Sequence, residues 1–272
     1  MIRLVILIVV LALSGPGPAW AGASLEGRAE QGGLLLGRTE PGAEVRLDGK
    51  AVPVDPTGRF LIGFGRDQGP EAVLESRSPD GATETRTLAV APRAWIEQRI
   101  EGLPQAKAKP DPVAQARIRA ESAMVAALRA RVSLDDGFAA GLLRPADGPV
   151  SGVFGSRRVY NGNPGAPHSG LDIAAPLGAP VRAAAAGTVI LAAPDLFLTG
   201  RTVMVDHGIG LITSYAHLSR IDVAEGEHVA AGQSLGAIGA SGLATGPHLH
   251  FGVSWQDRRL DPETVLAVLP GR

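Results

Sequence analysis

Alternating apolar and polar residues, interrupted by turn signals, run through the first part of the chain. Residues 43–47 alternate, and the following Asp48-Gly49 pair is typical of a tight β-hairpin. A second turn signal at residues 55–58 precedes another apolar segment. Turn signals roughly 8–12 residues apart are typical of antiparallel sandwiches. The pattern predicts a small immunoglobulin-like β domain over residues 22–100, with no cluster of chemically capable side chains.

The next segment, residues 101–144, has the pattern of a linker followed by one helix. Residues 102–112 are rich in Pro, Lys and Ala, and Asp111-Pro112 supplies an N-cap and a first-turn proline. The helix should run through about Arg131 and end by residues 135–137. Its apolar positions recur at helical spacing: Val113, Ile118, Val125, Leu128 and Val132. Because they fall on one side, we expect the helix to lie against a folded domain.

Short apolar runs separated by glycines fill residues 145–268. No stretch between Pro145 and Leu260 repeats with a helical period, so we expect an all-β domain with its own core. The predicted fold class is mainly β, with a small N-terminal β-sandwich, a helical connector and a C-terminal antiparallel β domain. Its predicted strands are at residues 150–154, 181–186, 188–192, 202–205, 211–215 and 249–254.

The N-terminal 21 residues have the pattern of a signal peptide. A short start containing Arg3 precedes an unbroken apolar run at residues 4–13, and Ala19-Trp20-Ala21 is a small-x-small cleavage signal. The apolar run has ten residues, whereas a helix needs about 20 to span a bilayer. We therefore expect an exported protein, periplasmic or secreted, with no stable membrane insertion after cleavage of the signal.

Composition excludes some partners and restricts the metal chemistry. The formal net charge is −1 and becomes −2 when Arg3 leaves with the signal peptide, so we expect no nucleic-acid partner. The chain has no cysteine, so disulfides do not hold it together. Any metal site must therefore use histidine and carboxylate ligands instead of thiolates.

The six histidines are concentrated in the predicted C-terminal domain. The first is residue 168 and the last is residue 250. On a strand, His248 and His250 point to the same side, about 6.6–6.8 Å apart. Two such imidazoles either share a metal ion or divide metal binding and proton transfer between them, and the spacing does not choose. His207, at a strand end, is expected to be structural, and His228, on an acidic turn, to be solvated.

A second pair, His168 and Asp172, is separated by a segment that contains a glycine. The intervening Gly170 favours a turn leading into a strand, which brings the two side chains together. With one residue of the later histidine pair, they make a set of two imidazoles and one carboxylate. Catalytic zinc sites use three protein ligands plus water, and this donor set suits Zn²⁺ better than the hard cations that prefer oxygen.

Three linked motifs carry a family resemblance. They are HSGLDI at residues 168–173, SYAHLS at 214–219 and TGPHLHF at 245–251, joined by glycine-punctuated segments over about residues 148–262. In these motifs the sequence resembles the lysostaphin/LytM family of zinc endopeptidases, which cut peptides in bacterial peptidoglycan. The resemblance does not extend over residues 22–145.

The resemblance implies a fold and assigns the site by position. The implied fold is a two-sheet antiparallel β metallopeptidase domain with the metal in a groove. One Zn²⁺ per chain is assigned to His168, Asp172 and His250, and the catalytic role to His217 and His248. None of these five positions is replaced, and the resemblance implies no other cofactor.

These observations leave three functional hypotheses. The leading one is an exported, cell-wall-associated zinc metalloendopeptidase that hydrolyses peptide cross-links of bacterial peptidoglycan with a zinc-activated water and two catalytic histidines. The alternative is an envelope regulatory protein that uses the same fold to bind and activate a cell-wall amidase. The third is an enzyme held latent by residues 22–145. The sequence leaves open which bond is cut, which histidine is the base, and the oligomeric state.

Overall fold

The computed structural model describes residues 22–101 and 110–271. The predicted signal peptide at residues 1–21 and most of the predicted linker, residues 102–109, lie outside the described part of the chain. Within that part, neither of the two α-helices combines the length and apolar character needed to cross a membrane. The architecture is mainly β, as predicted.

Two antiparallel sheets form the N-terminal region, which confirms the predicted small β-sandwich. Its strands are β1 (Ser24–Gly27), β2 (Leu34–Arg38), β3 (Glu44–Leu47), β4 (Lys50–Val52), β5 (Arg59–Gly63), β6 (Glu71–Arg77) and β7 (Thr83–Ala89). The sheets are ordered β1-β2-β5 and β4-β3-β6-β7. Asp48 and Gly49 have φ values of +51° and +75°, the left-handed conformation of a two-residue hairpin between β3 and β4.

One long helix, α1 (Pro112–Arg129), follows the N-terminal region. Asp111 caps it as predicted, because its side chain accepts a hydrogen bond from the Ala114 N–H at 2.7 Å. The helix ends at Arg129, earlier than the expected stop. The chain beyond it hydrogen-bonds to residues 207–209 of the C-terminal domain, which draws the backbone out of helical geometry. A single 3₁₀ turn (Gly137–Ala140) follows.

Helix α1 packs on the C-terminal domain through part of its apolar side, as expected. Val125 and Leu128 lie against a small buried cluster on that domain. Val113 remains 79% exposed, so this apolar contact does not extend to the start of the helix. The cluster consists of Leu191, Ala193, Leu196, Met204 and Ile212.

Thirteen strands of the described chain belong to the C-terminal sheets. They are β8 (Glu97–Ile100), β9 (Val150–Gly152), β10 (Arg157–Tyr160), β11 (Asn163–Pro164), β12 (Leu171–Ala174), β13 (Pro180–Arg182), β14 (Gly187–Leu196), β15 (Gly200–Asp206), β16 (Leu211–Ile221), β17 (His228–Val229), β18 (Ser234–Ile238), β19 (His248–Trp255) and β20 (Arg258–Leu260).

Ten of these strands form one antiparallel sheet. Its main path is β17-β14-β15-β16-β19-β12-β9, with β18 pairing with β16 and β13, and β20 pairing with β19. The other three form a second, smaller sheet in the order β11-β10-β8. The implied two-sheet domain is present, but the β8–β10 pair is parallel and brings residues 97–100 to the C-terminal sheets.

A short helix at the C-terminus, α2 (Pro262–Val268), is missing from the sequence-based prediction. Asp261 caps it by accepting a hydrogen bond from the Glu263 N–H at 3.0 Å, and Pro262 occupies the first turn. The Asp-Pro pair is the same start signal that identified α1. With seven residues, the segment is too short to show a helical period.

The N-terminal and C-terminal regions share one continuous buried core. Polar contacts reinforce the junction: Arg93 Nη1 lies 2.8 Å from Asp261 Oδ2, and Arg258 Nη1 donates to the Gly63 carbonyl at 2.9 Å. The division into domains near residues 100 and 145 stays a prediction, because the core runs across it.

Candidate metal centre

Three neighbouring strands of the large sheet position the predicted site. Strand β19 lies between β12 and β16, and His250 is directly opposite Asp172 on one side and Ala216 on the other. Residues directly opposite one another carry their side chains on the same face. Alternation along β19 brings His248 to that face too. The register of this sheet thus joins two motifs whose paired residues, Asp172 and His250, are 78 residues apart in the sequence.

His168 reaches the same face from the turn before β12. Its N–H donates to the Ser156 carbonyl at 2.9 Å, and its carbonyl accepts from the Gly155 N–H at 2.8 Å. A Cβ at Gly170 would lie only 2.4 Å from the Phe251 carbonyl oxygen. The glycine of the HSGLD motif is therefore required by the close approach of β19.

The three predicted ligands converge on one point. His168 Nε2, Asp172 Oδ1 and His250 Nδ1 form a triangle with sides of 2.9, 2.9 and 3.0 Å. A tetrahedral zinc ion with ligands about 2.0–2.2 Å away holds neighbouring ligand atoms roughly 3.3 Å apart. A slight expansion of the triangle therefore accommodates the ion, and the donor set of two imidazoles and a carboxylate fits zinc.

Contacts outside the triangle orient its members. His168 Nδ1 donates to the Val153 carbonyl at 2.9 Å, which leaves Nε2 free to bind a metal. The second oxygen of Asp172, Oδ2, forms a short ion pair with Arg158 Nη2. Burial acts to raise the pKa of Asp172, but its polar contacts with His168 and His250 outweigh burial and hold that pKa well below its usual range. Asp172 is thus ionised at neutral pH.

The two predicted catalytic histidines lie beside the triangle. The ring centroids of His217 and His248 are 4.7 Å apart, and the His217 ring is 6.0 Å from that of His250. His217 Nδ1 donates to the Ser241 carbonyl at 2.7 Å, and His248 Nδ1 donates to the Gly246 carbonyl at 2.9 Å. Each ring is thereby held with Nε2 as its basic nitrogen.

His217 has an unusual backbone conformation within β16. Its φ of +63° is in the left-handed region, which non-glycine residues rarely adopt. Its N–H donates to the Thr199 carbonyl at 2.8 Å. Backbone conformations of this kind cluster at functional sites. Burial, followed by the charges of His250 and His248, lowers the pKa of His217 to about 3, so the ring is neutral at pH 7.

All five predicted site residues therefore meet at one place, while their individual roles stay predictions. The two remaining histidines lie elsewhere, as expected. His207 is buried, with Nδ1 donating to the Ala186 carbonyl at 2.7 Å and Nε2 2.7 Å from Thr213 Oγ1. His228 is exposed on β17.

Two further residues of the site were not identified by sequence reasoning. Arg158 contacts the Asp172 carboxylate, and Gly152 makes room for that contact, since a Cβ there would lie 2.5 Å from Asp172 Oδ2. The available signal was an Arg157-Arg158 pair before a glycine-rich loop. Such a pair does not indicate which carboxylate it meets.

A cavity of about 400 Å³ opens beside these histidines. His168, His217 and His250 line it from the large sheet. Ile118 and Val125 line it from α1, so the helix forms part of its wall. No residue of strands β1–β7 is among the described residues that line this cavity.

Sequence comparison relates the C-terminal region to known proteins. The profile of peptidase family M23 matches residues 166–262. The peptidoglycan DD-endopeptidase ShyA of Vibrio cholerae is 39% identical over 103 residues, which cover 38% of this chain and 24% of ShyA. A lipoprotein NlpD/LppB homolog of Pseudomonas aeruginosa is 37% identical over 128 residues, which cover 47% of this chain and 39% of the lipoprotein. The chain spans well under half the length of these curated relatives.

A solved structure resembles a much larger part of the chain. It is a crystal structure of a Pseudomonas aeruginosa protein assigned to peptidase M23, with a TM-score of 0.70 and 34% sequence identity. The match covers 89% of this chain and 96% of that one, so it extends beyond the family profile into the N-terminal region. The chain belongs to peptidase family M23, and the family domain lies in its C-terminal region.

Proposed function

We propose that this protein is an exported, zinc-dependent endopeptidase that hydrolyses peptide cross-links of bacterial peptidoglycan. The observation that carries the proposal is the triangle of His168 Nε2, Asp172 Oδ1 and His250 Nδ1, with two further oriented imidazoles beside it. The likeness to ShyA, named a peptidoglycan DD-endopeptidase, supports the substrate. Export is inferred from the signal pattern of residues 1–21.

His168, Asp172 and His250 would hold the zinc ion. When bound there, zinc supplies a Lewis acid that polarises a peptide carbonyl and lowers the pKa of a water molecule. The Asp172–Arg158 ion pair keeps Oδ2 occupied, so only Oδ1 is presented to the metal. The backbone hydrogen bond of His168 Nδ1 fixes its ring in the orientation that ligation needs.

His217 and His248 would handle the protons. Each ring uses Nδ1 for a backbone carbonyl and keeps Nε2 for the reaction. One Nε2 accepts the proton that the attacking water loses, and a proton is then delivered to the leaving amine. General acid–base catalysis of this kind raises the rate by roughly 10²–10⁴-fold. The second imidazole stabilises the developing oxyanion with a hydrogen bond from Nε2–H, which it carries only in its protonated form because Nδ1 is held by a backbone carbonyl. The 4.7 Å separation of the rings allows both to face one scissile bond.

Digestion of purified peptidoglycan tests the proposal. The full-length protein with zinc should release muropeptides whose masses show cleavage of peptide cross-links. His217→Ala should retain zinc and lose hydrolysis, and Asp172→Ala should lose both. His228→Ala is the matched control and should leave activity unchanged, because it removes an exposed histidine on the edge strand β17, which β14 and β15 separate from β16. Full activity of the Asp172→Ala protein would contradict the proposal.

The second candidate function is a regulatory protein that binds and activates a cell-wall amidase. The likeness to the NlpD/LppB homolog is the observation that favours it. The intact set of five site residues favours the enzyme. His217→Ala separates the two: a strain carrying it should lose the phenotype of the native protein if hydrolysis is the function, and retain that phenotype if binding is.

A further inference from the structure

The cavity beside the metal centre contains two arginines that the proposed reaction does not use. Arg129 is the last residue of α1, and Arg259 lies in the middle of β20. Both line the same cavity as His168, His217 and His250. The helix and the strand thus bring two arginines from distant parts of the sequence to the lining of one cavity.

Neither arginine has an anionic partner among the described residues. Within residues 22–101 and 110–271, no hydrogen bond or ion pair involves either guanidinium, and Arg129 Nε is buried without a hydrogen-bond partner. Burial, together with the positive charge of Arg259, lowers the pKa of Arg129 to about 10, which leaves it cationic at pH 7. Arg259 is exposed and Arg129 is half-buried, so the two charges repel each other across a partly solvated site, and an anion bound beside them would relieve that repulsion.

Other charges of the cavity wall do not neutralise this pair. Arg158, which also lines the cavity, is bound to Asp172. Glu121 lines it too, but Oε1 accepts from Arg117 Nε at 2.6 Å and Oε2 accepts from the Phe197 N–H at 2.8 Å. The Arg129–Arg259 pair is therefore the uncompensated charge of the described cavity wall.

We infer that Arg129 and Arg259 form a subsite that binds a carboxylate of the peptide substrate next to the metal centre. The inference rests on the proposed function and adds the substrate class, a cross-linked peptide with a free carboxylate close to the scissile bond. Guanidinium groups bind carboxylates through two parallel hydrogen bonds, so this pair fixes the position of a carboxylate as well as attracting it. Helix α1 is then part of the substrate site.

The anchoring of α1 explains how Arg129 is held in place. Arg117 Nη2 donates to the carbonyl of Asp195 at 2.8 Å and to its carboxylate at 3.0 Å. In the next turn, Glu121 Oε2 accepts a hydrogen bond from the Phe197 N–H. A helix fixed at two successive turns places its last residue reproducibly over the cavity. The exposed Arg119, which is not a lining residue, belongs to the same helix and provides a matched control.

Synthetic cross-linked stem peptides test the inference with the full-length protein. Three peptides are compared: one with all carboxylates free, one with a terminal carboxamide, and one with side-chain carboxamides. The wild type should cleave the free peptide with a kcat/KM roughly 10–100-fold above that of the amidated peptide that lacks the recognised carboxylate. The amidated peptide with the lower kcat/KM identifies whether a terminal or a side-chain carboxylate is bound.

Arg129→Gln and Arg259→Gln should remove this preference. Each substitution should lower kcat/KM for the free peptide to nearly the kcat/KM of the amidated peptide. The kcat/KM of the amidated peptide itself should change little. Arg129→Lys and Arg259→Lys should recover part of the preference, and Arg119→Gln should not alter it. Equal losses on free and amidated peptides, or a wild type that does not distinguish them, would overturn the inference.

Binding measurements separate failure of the subsite from failure of the proposed function. In a His217→Ala background, calorimetry should show that Arg129→Gln weakens binding of the free peptide about tenfold or more and leaves the amidated peptide unaffected. If the wild type cleaves no peptide but this difference persists, the endopeptidase proposal fails and the subsite stands. If binding does not depend on the carboxylate, the subsite fails.

Discussion

The carboxylate of Asp172 has different partners on its two oxygens. Oδ1 lies 2.9 Å from both His168 Nε2 and His250 Nδ1, whereas Oδ2 forms an ion pair with Arg158. The guanidinium therefore fixes the rotation of the carboxylate that sets the metal site. Groups that orient metal ligands in this way contribute to affinity without touching the ion.

Replacement of Arg158 should weaken metal binding. Arg158→Met leaves Oδ2 unpaired and free to rotate, so we expect zinc affinity to fall roughly 10–100-fold. Arg158→Lys should recover part of the loss, since lysine keeps the charge but not the planar fork. Competition with a fluorescent zinc chelator measures the change. Arg157→Met, an exposed neighbour, is the control, and an unchanged affinity in Arg158→Met would contradict the orienting role.

His207 should make the protein less stable as the pH falls. Burial lowers its pKa in the folded state from 6.5 to about 4. Because the unfolded chain takes up the proton first, stability is lost as the pH falls from about 6.5 to 4, by about 3 kcal/mol. His207→Gln should flatten this dependence in urea unfolding curves, and the exposed His228→Gln should not. Equal slopes for His207→Gln and wild type would contradict the assignment.

At this scale, much of the site could be predicted and part of it could not. Strand alternation places His248 and His250 on one face, and a turn before a strand brings His168 towards Asp172. The division of roles within the histidine pair came only from the family resemblance. Arg158 could not be predicted, because its contact depends on the packing of β10 beside β12, which local sequence patterns do not encode.

Helix α1 is held by polar contacts as well as by Val125 and Leu128. Glu121 is the centre of these contacts, with one oxygen on Arg117 and the other on the Phe197 N–H. Its side chain is only 20% exposed, so these hydrogen bonds are partly shielded from water. The contact to a backbone N–H fixes the helix to the end of β14 more firmly than an exposed ion pair would.

Loss of the Glu121 carboxylate should loosen the helix. Glu121→Ala leaves the Phe197 N–H unpaired, and we expect a loss of about 1–3 kcal/mol of unfolding free energy. Amide hydrogen exchange in α1 should accelerate more than exchange in β16 or β19. Glu121→Gln keeps an acceptor oxygen, so its unfolding free energy and its exchange rates in α1 should lie between those of the wild type and Glu121→Ala. Exchange in α1 that is unchanged by Glu121→Ala would show that apolar packing alone holds the helix.

Each difference between the predicted and the observed elements has its own physical reason. Strand β8 is polar and pairs in parallel with β10, a long-range contact with no local signal. Helix α2 is too short for periodicity, although Asp261-Pro262 marks its start. Helix α1 ends earlier than predicted. Its end depends on hydrogen bonds between residues 133–138 and the distant loop at 207–209, which the local sequence does not show.

The whole molecule is joined by a core that both regions share and by Asp261 at the junction. Asp261 is nearly buried, caps α2 through Oδ1, and holds Arg93 of the N-terminal region through Oδ2. Because the core is continuous, we expect the described regions to unfold in one cooperative transition.

Asp261→Ala should destabilise the molecule as a unit. Loss of the helix cap costs about 1 kcal/mol and loss of the charge-assisted hydrogen bond about 1.5–3 kcal/mol. Asp261→Ser restores the cap without the ion pair and should recover about 1 kcal/mol. Calorimetric unfolding measures both variants. Two separate transitions in the wild type would contradict the single-unit interpretation.

The zinc content of the full-length protein tests the central claim most directly. After saturation with zinc and extensive dialysis, mass spectrometry of the metal should give one zinc per chain for the wild type. The same value is expected for His217→Ala, His248→Ala and His228→Ala, and a value near zero for Asp172→Ala and His250→Ala. A wild type that retains no zinc, or an Asp172→Ala protein that retains one per chain, would contradict the account.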